Sequence, residues 1–352
     1  MDNFQKESDV AKKWNLPLDQ IVLLCESGDV EGAYKFGSNW WIPSTSIKPE
    51  EEAIEKCISK VTIDLEEEEK IANQRNRTFN GLTAKEWAER SRSVWNDVSS
   101  TREKKHLDHG ATYPEKLCDR LIEMYSREGD TVLDPFLGTG TTVLSAIKNR
   151  RMAIGIELTD RFYSVAENEI ANRELELNAN GVKLSYQLFK GDCTDMLNQI
   201  EADSVQLTIT SPPYANLIHM VVDDRQKRHK KSKFVEENNA TTNVYSMDQR
   251  DLGNMDMTDY LVSVEQIMKE IYRTTKEGGY NIWVVKDFRD TRNGIPYVDL
   301  HSKIANAGEK AGFKYHDLII WDQNERRKLV LLGYPSVFYV NQNHSYMVVM
   351  RK

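Results

Sequence analysis

Four short segments in the second half of the chain carry residues that could bind a small molecule and act on it. The segment DPFLGTGTT (134–142) follows a short apolar run, and Gly138 and Gly140 permit a tight turn at the start of a helix. Glu157 ends the next apolar run, where an acid can take the hydroxyls of a bound ribose. Asp192 ends a third run, and could accept a hydrogen bond from an adenine amine or cap a helix.

The fourth segment is TSPPY (210–214), in which two successive prolines stand between a hydroxyl and an aromatic ring. Proline lacks an N–H group and stiffens the turn, which leaves backbone carbonyls exposed. Carbonyl and hydroxyl acceptors beside a stacking surface suit an exocyclic amine on a flat base. The chain has no G-x-x-x-x-G-K-[ST] motif, which excludes a P-loop.

These segments stand at the ends of strands that alternate with helices, which is typical of an α/β fold with a parallel sheet. An amphipathic helix is predicted over 257–279, ending at Gly278 and Gly279. Parallel sheets of this kind bind ligands at the carboxyl ends of their strands, so all four segments are expected at one edge. Seven strands are predicted, at 131–134, 152–157, 184–192, 204–210, 280–287, 312–321 and 344–352.

The composition limits the class of protein. A length of 352 residues suits two domains, or one large domain with an appendage, and 39% hydrophobic residues are enough for a sizeable core. No apolar run approaches the ~18–20 residues of a membrane helix, and the N-terminus lacks an apolar signal-peptide core. The four cysteines are scattered without a C-x-x-C pair, so neither a metal site nor a disulfide framework is expected. The sequence therefore predicts a cytoplasmic protein without metal.

Charge is distributed unevenly. Most of the net charge of −8 comes from an acidic stretch at 50–69. The run RQKRHKKSK (225–233) is strongly basic, and is either a solvated loop or a loop that contacts phosphates. Three parts are expected: a helix-turn-helix-like module (1–48), a charged connector (49–79) and an α/β domain (80–352) with an insertion at 215–256.

The four segments together resemble the exocyclic-amino DNA methyltransferases, which methylate cytosine N4 or adenine N6 with S-adenosylmethionine. HGATYPE (109–115) and the ending GYPSVFYVNQNHSYMVVMRK resemble further segments of that family. The resemblance covers roughly 80–352 and implies a Rossmann-like class I methyltransferase with a seven-stranded, mostly parallel sheet. The implied cofactor-binding residues are Tyr113, Pro114, Asp134, Pro135, Phe136, Gly138, Gly140, Thr141, Thr142, Glu157 and Asp192.

The resemblance also implies a mechanism in which the target base is flipped out of double-stranded DNA. Tyr214 would stack on the base, while the Ser211 hydroxyl and the Pro212 carbonyl accept hydrogen bonds from its amine; the implied catalytic set is Ser211, Pro212, Pro213 and Tyr214. Carbon-5 methylation of cytosine would need a cysteine nucleophile after a proline, which is absent here. Ser211 favours cytosine N4, because adenine enzymes of the family usually carry Asp or Asn there.

The order of the motifs differs from one common arrangement of the family, in which the PP-Tyr motif comes before the glycine loop. This difference leaves the subgroup, and therefore adenine N6, open. An RNA amine methyltransferase and a catalytically dead DNA-binding regulator are the further alternatives. A cognate restriction endonuclease or another defence-system protein is a candidate partner. The phosphate-contact candidates are Arg225, Arg228, Lys230 and Lys231, with Arg326, Arg327 and Lys328 as secondary ones.

The N-terminal residues resemble a separate kind of module. SGDVEGAYKFGSNWWIP (27–43), after two short amphipathic segments, is similar to the winged helix-turn-helix of excisionase-type DNA-binding proteins. The second helix, predicted at about 18–27, contains no Lys or Arg but does contain Asp19 and Glu26. Lys35 on the wing is the main base, so either DNA or a protein could be the partner, and a plain helical cap on the enzyme is the simpler alternative.

Overall fold

A computed structural model describes residues 3–98, 113–179, 181, 185–215, 246, 248–290, 293–325 and 336–352. The chain divides into two compact units, Met1–Thr78 and Phe79–Lys352. In the part of the chain so described, no helix is both long and apolar enough to cross a membrane.

The first unit combines a small antiparallel sheet with three helices. The strands are β1 (Phe4–Lys6), β2 (Tyr34–Phe36) and β3 (Asn39–Pro43), and β3 lies between the other two. The helices are α1 (Glu7–Trp14), α2 (Leu18–Glu26) and α3 (Glu51–Arg77). The predicted helices and the hairpin that turns after Phe36 are present, whereas a DNA-binding function for this unit stays a prediction.

Apolar stripes explain how these short helices hold together. The apolar residues of α1 and α2 are buried in one core, and they are Val10, Ala11, Trp14, Ile21, Leu24 and Cys25. Pro17, whose ring fixes φ, stands immediately before α2 and separates it from α1. From Glu51 onward the acidic stretch lies within the 27-residue helix α3, and Ile54 and Cys57 of that helix belong to the same core.

The second unit is built on an eight-stranded sheet. Its order is β4-β12-β13-β9-β8-β5-β6-β7, and only β13 runs antiparallel to its neighbours. The strands are β4 (Val94–Trp95), β5 (Thr131–Asp134), β6 (Met152–Glu157), β7 (Tyr186–Lys190), β8 (Val205–Thr210), β9 (Thr275–Val285), β12 (Lys314–Asp322) and β13 (His344–Arg351). This confirms the Rossmann-like α/β fold, with β4 as an eighth strand that its two-residue length hid from sequence patterns.

Helices cover both faces of the sheet. They are α4 (Ala84–Arg90), α5 (Glu115–Tyr125), α6 (Thr141–Lys148), α7 (Asp160–Ala179), α8 (Cys193–Leu197), α9 (Met257–Thr274) and α10 (Leu300–Ala311). A hairpin of β10 (Phe288–Asp290) and β11 (Ile295–Val298) follows β9. Side chains of β9 alternate between two cores: Ile282 and Val284 pack on the face that carries α5 and α6, and Trp283 and Val285 on the face that carries α9 and α10.

One predicted boundary is wrong. The helix expected to run to Gly279 ends at Thr274, and the two glycines lie inside strand β9. The pairing with β8 shifts there, because Val205 faces Thr275 whereas Leu207 faces Tyr280. A Cβ on Gly279 would lie 3.0 Å from the carbonyl oxygen of Gln206, so the glycines permit a bulge against the neighbouring strand and do not stop a helix.

Candidate active site

A cavity of about 280 Å³ opens at the carboxyl ends of β5, β6, β7 and β8. This volume is near the lower end of small-molecule sites, which begin at about 300 Å³. Among the predicted site residues it is lined by Pro135, Phe136, Gly138, Glu157, Asp192, Ser211, Pro212 and Pro213. Four segments that are far apart in sequence therefore meet at one edge of the sheet, as expected.

The glycine loop between β5 and α6 is held against the next strand. The backbone N–H of Leu137 donates to the carbonyl oxygen of Ile156 at 2.8 Å. Gly140 precedes α6 with a φ of 86°, and a Cβ there would lie 3.2 Å from the Cβ of Ala166 on α7. Only glycine meets both the positive φ and the close approach of α7 without strain.

Asp134 is the centre of a buried hydrogen-bond network beneath that loop. Oδ1 accepts from the Thr210 hydroxyl at 2.6 Å and from the backbone N–H of Phe136 at 3.1 Å. Oδ2 accepts from the Thr142 hydroxyl at 2.6 Å, and the Tyr113 hydroxyl lies 3.1 Å away. The carboxyl is 1% exposed, and burial raises its pKa although these donors oppose the shift. The network joins β5, α6, β8 and Tyr113, two positions before α5.

Several predicted cofactor-binding residues are therefore engaged with each other. Tyr113 and Thr142 also contact one another, with their hydroxyl oxygens 2.5 Å apart. Pro114 stands before α5, and Gly140 and Thr141 begin α6. None of the six residues Tyr113, Pro114, Asp134, Gly140, Thr141 and Thr142 is among those that line the cavity. A direct contact between these six and a cofactor stays a prediction.

Glu157 faces the cavity from the end of β6. Its Oε2 accepts from the backbone N–H of Gly138 at 3.0 Å, and its Oε1 accepts from the backbone N–H and the hydroxyl of Thr159 at 2.9 and 2.8 Å. A carboxylate offers about four lone-pair positions, so one position on Oε2 is left for a ligand. Burial raises the pKa of this carboxyl above its ordinary value, against the hydrogen bonds from Thr159 and Gly138.

Asp192 caps a helix, and its contact with a ligand stays a prediction. Oδ1 accepts from the backbone N–H of Thr194 at 2.9 Å, which caps α8. Within the described ranges this is the one hydrogen bond found for the carboxylate, so Oδ2 stays available on the side that lines the cavity. The cap and a contact with a ligand are compatible.

The segment Ser211–Tyr214 leaves the end of β8 and divides between the cavity and the core. Ser211, Pro212 and Pro213 line the cavity, whereas Tyr214 is half-buried and packs on the core cluster that contains Tyr260 and Trp283. Thr210 binds Asp134, which fixes the point where the segment begins. The catalytic roles of the four residues stay predictions.

One wall of the cavity was not predicted. Arg250, Asp251, Leu252 and Met255 line it from the C-terminal end of the insertion, and α9 adds Ser263, Gln266 and Ile267. Asp251 is buried and orders this wall, because it accepts from the Ser246 hydroxyl at 2.8 Å and from the backbone N–H of Gly253 at 2.9 Å. An Asp two residues before a Gly is a turn signal, but nothing in the sequence indicates that this turn reaches the cavity.

Of the predicted DNA-contacting residues, the structure describes only Lys35. Arg225, Arg228, Lys230, Lys231 and the secondary candidates Arg326, Arg327 and Lys328 lie outside the described residues, as does His109. Lys35 is exposed on β2, where its ammonium lies 3.7 Å from the carboxylate of Glu26 and 5.8 Å from the ring centre of Trp40. Lys35 already has an acidic neighbour and an aromatic one.

A comparison with protein families decides the relationship. The profile of the N6_N4_Mtase family, described as DNA methylase, matches residues 39–168 and 205–352. The chain belongs to this family. Type II methyltransferase M.HinfI from Haemophilus influenzae is 32% identical over 185 residues, which cover 50% of this chain and 49% of that protein. M.MthZI from Methanothermobacter thermautotrophicus is 43% identical over 101 residues, 26% of this chain and 28% of that protein. The chain thus spans at most about half the length of these relatives.

Solved structures give more distant similarities. A SAM-dependent methyltransferase from Methanosarcina mazei has a TM-score of 0.39 and 13% identity, covering 66% of this chain and 96% of that one. A putative DNA modification methylase from Thermus thermophilus, solved with S-adenosyl-L-methionine, has a TM-score of 0.29 and 21% identity, covering 45% of this chain and 50% of that one.

The cofactor of this DNA methylase family is S-adenosylmethionine, and the cavity has groups that suit it. Asp192 and Glu157 offer acceptors for amine and hydroxyl hydrogens of an adenosine. The flat base needs apolar neighbours, and Leu158, Phe162, Leu252 and Ile267 line the same cavity. These hydrogen-bond acceptors and the apolar lining therefore fit the nucleoside half of the cofactor.

Replacing Asp134 with Asn should destabilise the protein and loosen the glycine loop. The amide loses the negative charge that these donors bind and presents an N–H₂ group to at least one of them, so we expect a loss of about 1–3 kcal/mol in the free energy of unfolding. Urea denaturation measures this loss. The control is Asp160→Asn, which removes an exposed carboxylate paired with Lys190. Equal stabilities of the two variants would contradict the role of Asp134.

Binding of S-adenosylmethionine should depend on the ionisation of Glu157. Ligand hydroxyls donate to the ionised carboxylate, so affinity is full above the pKa of Glu157 and falls as the pH drops through it. Because burial raises this pKa, the fall begins above the ordinary value of 4.5. Isothermal titration calorimetry at stepped pH measures it.

The variant Glu157→Gln separates this effect from other acids. It should bind the cofactor about tenfold more weakly at neutral pH and lack the step that Glu157 contributes. Glu201→Gln, which changes an exposed acid outside the cavity lining, should keep the wild-type profile. A Glu157→Gln protein with an unchanged pH profile would show that Glu157 does not bind the ligand.

Proposed function

We propose that the chain is a site-specific DNA methyltransferase that transfers a methyl group from S-adenosylmethionine to the exocyclic amine of a flipped base, with cytosine N4 as the favoured target. One observation carries the proposal: Ser211, Pro212 and Pro213 line the same cavity as Glu157 and Asp192. The acceptors for an amine and the acceptors for an adenosine therefore face one chamber, as transfer between two bound molecules requires.

The residues of the chain act mainly by alignment. Bound in the cavity, the cofactor supplies an electrophilic methyl group on a sulfonium. Glu157 and Asp192 hold its adenosine, while the Ser211 hydroxyl and the Pro212 carbonyl accept hydrogen bonds from the amine of the base. These bonds orient the nitrogen lone pair toward the methyl group. The N–C bond would form as the C–S bond breaks and the neutral thioether leaves, and the nitrogen would then lose one proton to water. Proximity and the exclusion of water supply most of the acceleration.

Base flipping is needed because the amine is hidden inside a duplex. Extrusion costs a few kcal/mol, and stacking on an aromatic ring offsets part of this cost. Tyr214 follows the cavity-lining prolines directly and is anchored by packing on its core cluster. It is therefore the ring best situated to stack on an extruded base.

The choice of base depends on Ser211. Adenine enzymes of the family usually carry Asp or Asn at this position, and Ser211 has only one hydroxyl to offer. Its position in the cavity lining leaves that hydroxyl in reach of a ligand. Cytosine N4 is the favoured target for this reason, and adenine N6 is the alternative.

DNA contacts are assigned to the insertion. Arg225, Arg228, Lys230 and Lys231 follow Tyr214 closely in the chain, so a loop that carries them can reach the phosphates around a flipped base. Several relatives are named Type II methyltransferases, and one is named a subunit of a type III restriction-modification enzyme. A restriction-modification setting with a cognate nuclease is the biological context we propose.

Nucleoside mass spectrometry tests the activity. The purified protein is incubated with S-adenosylmethionine and unmethylated duplex DNA, and the digest should contain N4-methylcytosine. Tyr214→Ala should reduce turnover at least about tenfold and leave cofactor affinity near that of the wild type, since stacking is worth about 1–3 kcal/mol.

Other products would change the assignment in defined ways. N6-methyladenine would overturn the choice of base and keep the mechanism. A product on RNA alone would favour an RNA amine methyltransferase. A protein that binds the cofactor but gives no product on either nucleic acid would contradict the proposed methyltransferase activity. A protein that binds DNA but not the cofactor would favour a catalytically dead DNA-binding regulator.

The salt dependence of DNA binding tests the basic run. Each phosphate contact contributes about 0.9 to the slope of log K against log salt concentration. The double variant Arg228→Glu/Lys230→Glu should bind more weakly and lower the slope by about 2. The matched control Lys85→Glu/Lys314→Glu has the same change in charge at two exposed lysines outside the basic run. If the slope of log K against log salt concentration falls equally in both double variants, the effect comes from net charge and not from phosphate contacts of the basic run.

A further inference from the structure

Tyr260 has a buried hydroxyl without a hydrogen-bond partner among the described residues. The residue lies in the first turn of α9 and is 0% exposed, and its hydroxyl oxygen has no hydrogen-bond partner within the described parts of the chain. A buried hydroxyl without a partner is destabilising, and a phenylalanine would fill nearly the same volume without that penalty. The cost of burying the Tyr260 hydroxyl is explained if it forms a hydrogen bond in another state of the protein.

The position of α9 places Tyr260 near the edge of the sheet where β8 ends. Helix α9 leads directly into β9, and β9 runs parallel to β8, so the first turn of the helix lies at the edge where β8 ends. Ser263 and Gln266, on the next two turns of the helix, line the same cavity as Ser211–Pro213. Tyr260 therefore lies one turn from the site where the base is expected.

Tyr260 is also a neighbour of Tyr214. Both rings belong to one packed cluster, which also contains Ala215, the residue that follows Tyr214. Burial raises the pKa of Tyr260 well above its ordinary value, and the nearby Tyr214 phenol adds to the shift. At neutral pH the hydroxyl of Tyr260 is therefore neutral and can serve as a hydrogen-bond donor.

We propose that Tyr260 is a positioning residue for the base-stacking ring of Tyr214, and that its hydroxyl gains its partner when the Ser211–Tyr214 segment closes on a flipped base. This inference rests on the proposed function. Without DNA the hydroxyl lacks a partner among the residues that the structure describes, and the closed DNA complex supplies one. This hydrogen bond forms in the closed arrangement alone. It therefore shifts the equilibrium between the open and closed arrangements toward the closed one.

The test compares two variants that each remove a buried, unpaired hydroxyl. Tyr260→Phe removes the proposed donor. Thr208→Val is the matched control, since Thr208 is 0% exposed on β8 and its hydroxyl also lacks a partner in the described structure. Without DNA, each variant should melt about 2–4 °C above the wild type, because an unsatisfied buried group is gone.

The two variants should differ once DNA is present. In a single-turnover assay with S-adenosylmethionine and duplex DNA, Tyr260→Phe should transfer the methyl group about tenfold more slowly, with an unchanged cofactor Kd. Its melting temperature should also rise less on addition of DNA than that of the wild type. Thr208→Val should match the wild-type rate constant and the wild-type rise.

Each other result has a distinct meaning. A Tyr260→Phe protein that melts higher and transfers the methyl group at the wild-type rate would reduce Tyr260 to a packing residue and overturn the inference. Equal slowing of both variants would assign the effect to the core around β8, which also overturns it. A wild type that binds the cofactor but methylates no DNA would refute the proposed function itself, which the parallel wild-type assay identifies separately.

Discussion

The whole site depends on one buried carboxylate. Asp134 accepts hydrogen bonds from the ends of three separate stretches of chain, which supply the Tyr113, Thr142 and Thr210 hydroxyls. A buried charge is tolerable only when such donors surround it, so the charge and its donors require one another. By binding all of them, Asp134 fixes where α6 begins and where β8 ends. The positions of the glycine loop and of Ser211 follow from this network.

The sheet brings these stretches to one edge. Because β5, β6, β7 and β8 run parallel, their carboxyl ends open on the same side, and alternating side chains bury both faces under helices. Polar side chains and backbone groups of this sheet can therefore face a ligand where the carboxyl ends of these strands open. Helix α9 closes the cavity from one face, which brings Tyr260 and Tyr214 into one cluster.

Seven strands of the eight-stranded sheet and the four motif segments could be predicted from the sequence, because short apolar runs followed by turn residues are local signals. The position of Gly278 and Gly279 inside β9 could not be predicted. Glycines are common both at a β-bulge and at the end of a helix, and only the pairing with β8 distinguishes the two cases. The cavity wall around Asp251 was equally hidden. It depends on where the end of a long insertion returns, which is a tertiary property without a local pattern.

The three acids that the sequence assigned to one cofactor differ in what they can still bind. Asp134 has its lone pairs engaged by donors of the protein, Glu157 has about one position left, and Asp192 uses a single oxygen for a helix cap. A carboxylate already surrounded by protein donors holds the site in shape, and one with free lone pairs can bind a ligand. Contact with the cofactor should therefore be greatest for Asp192, smaller for Glu157 and indirect for Asp134.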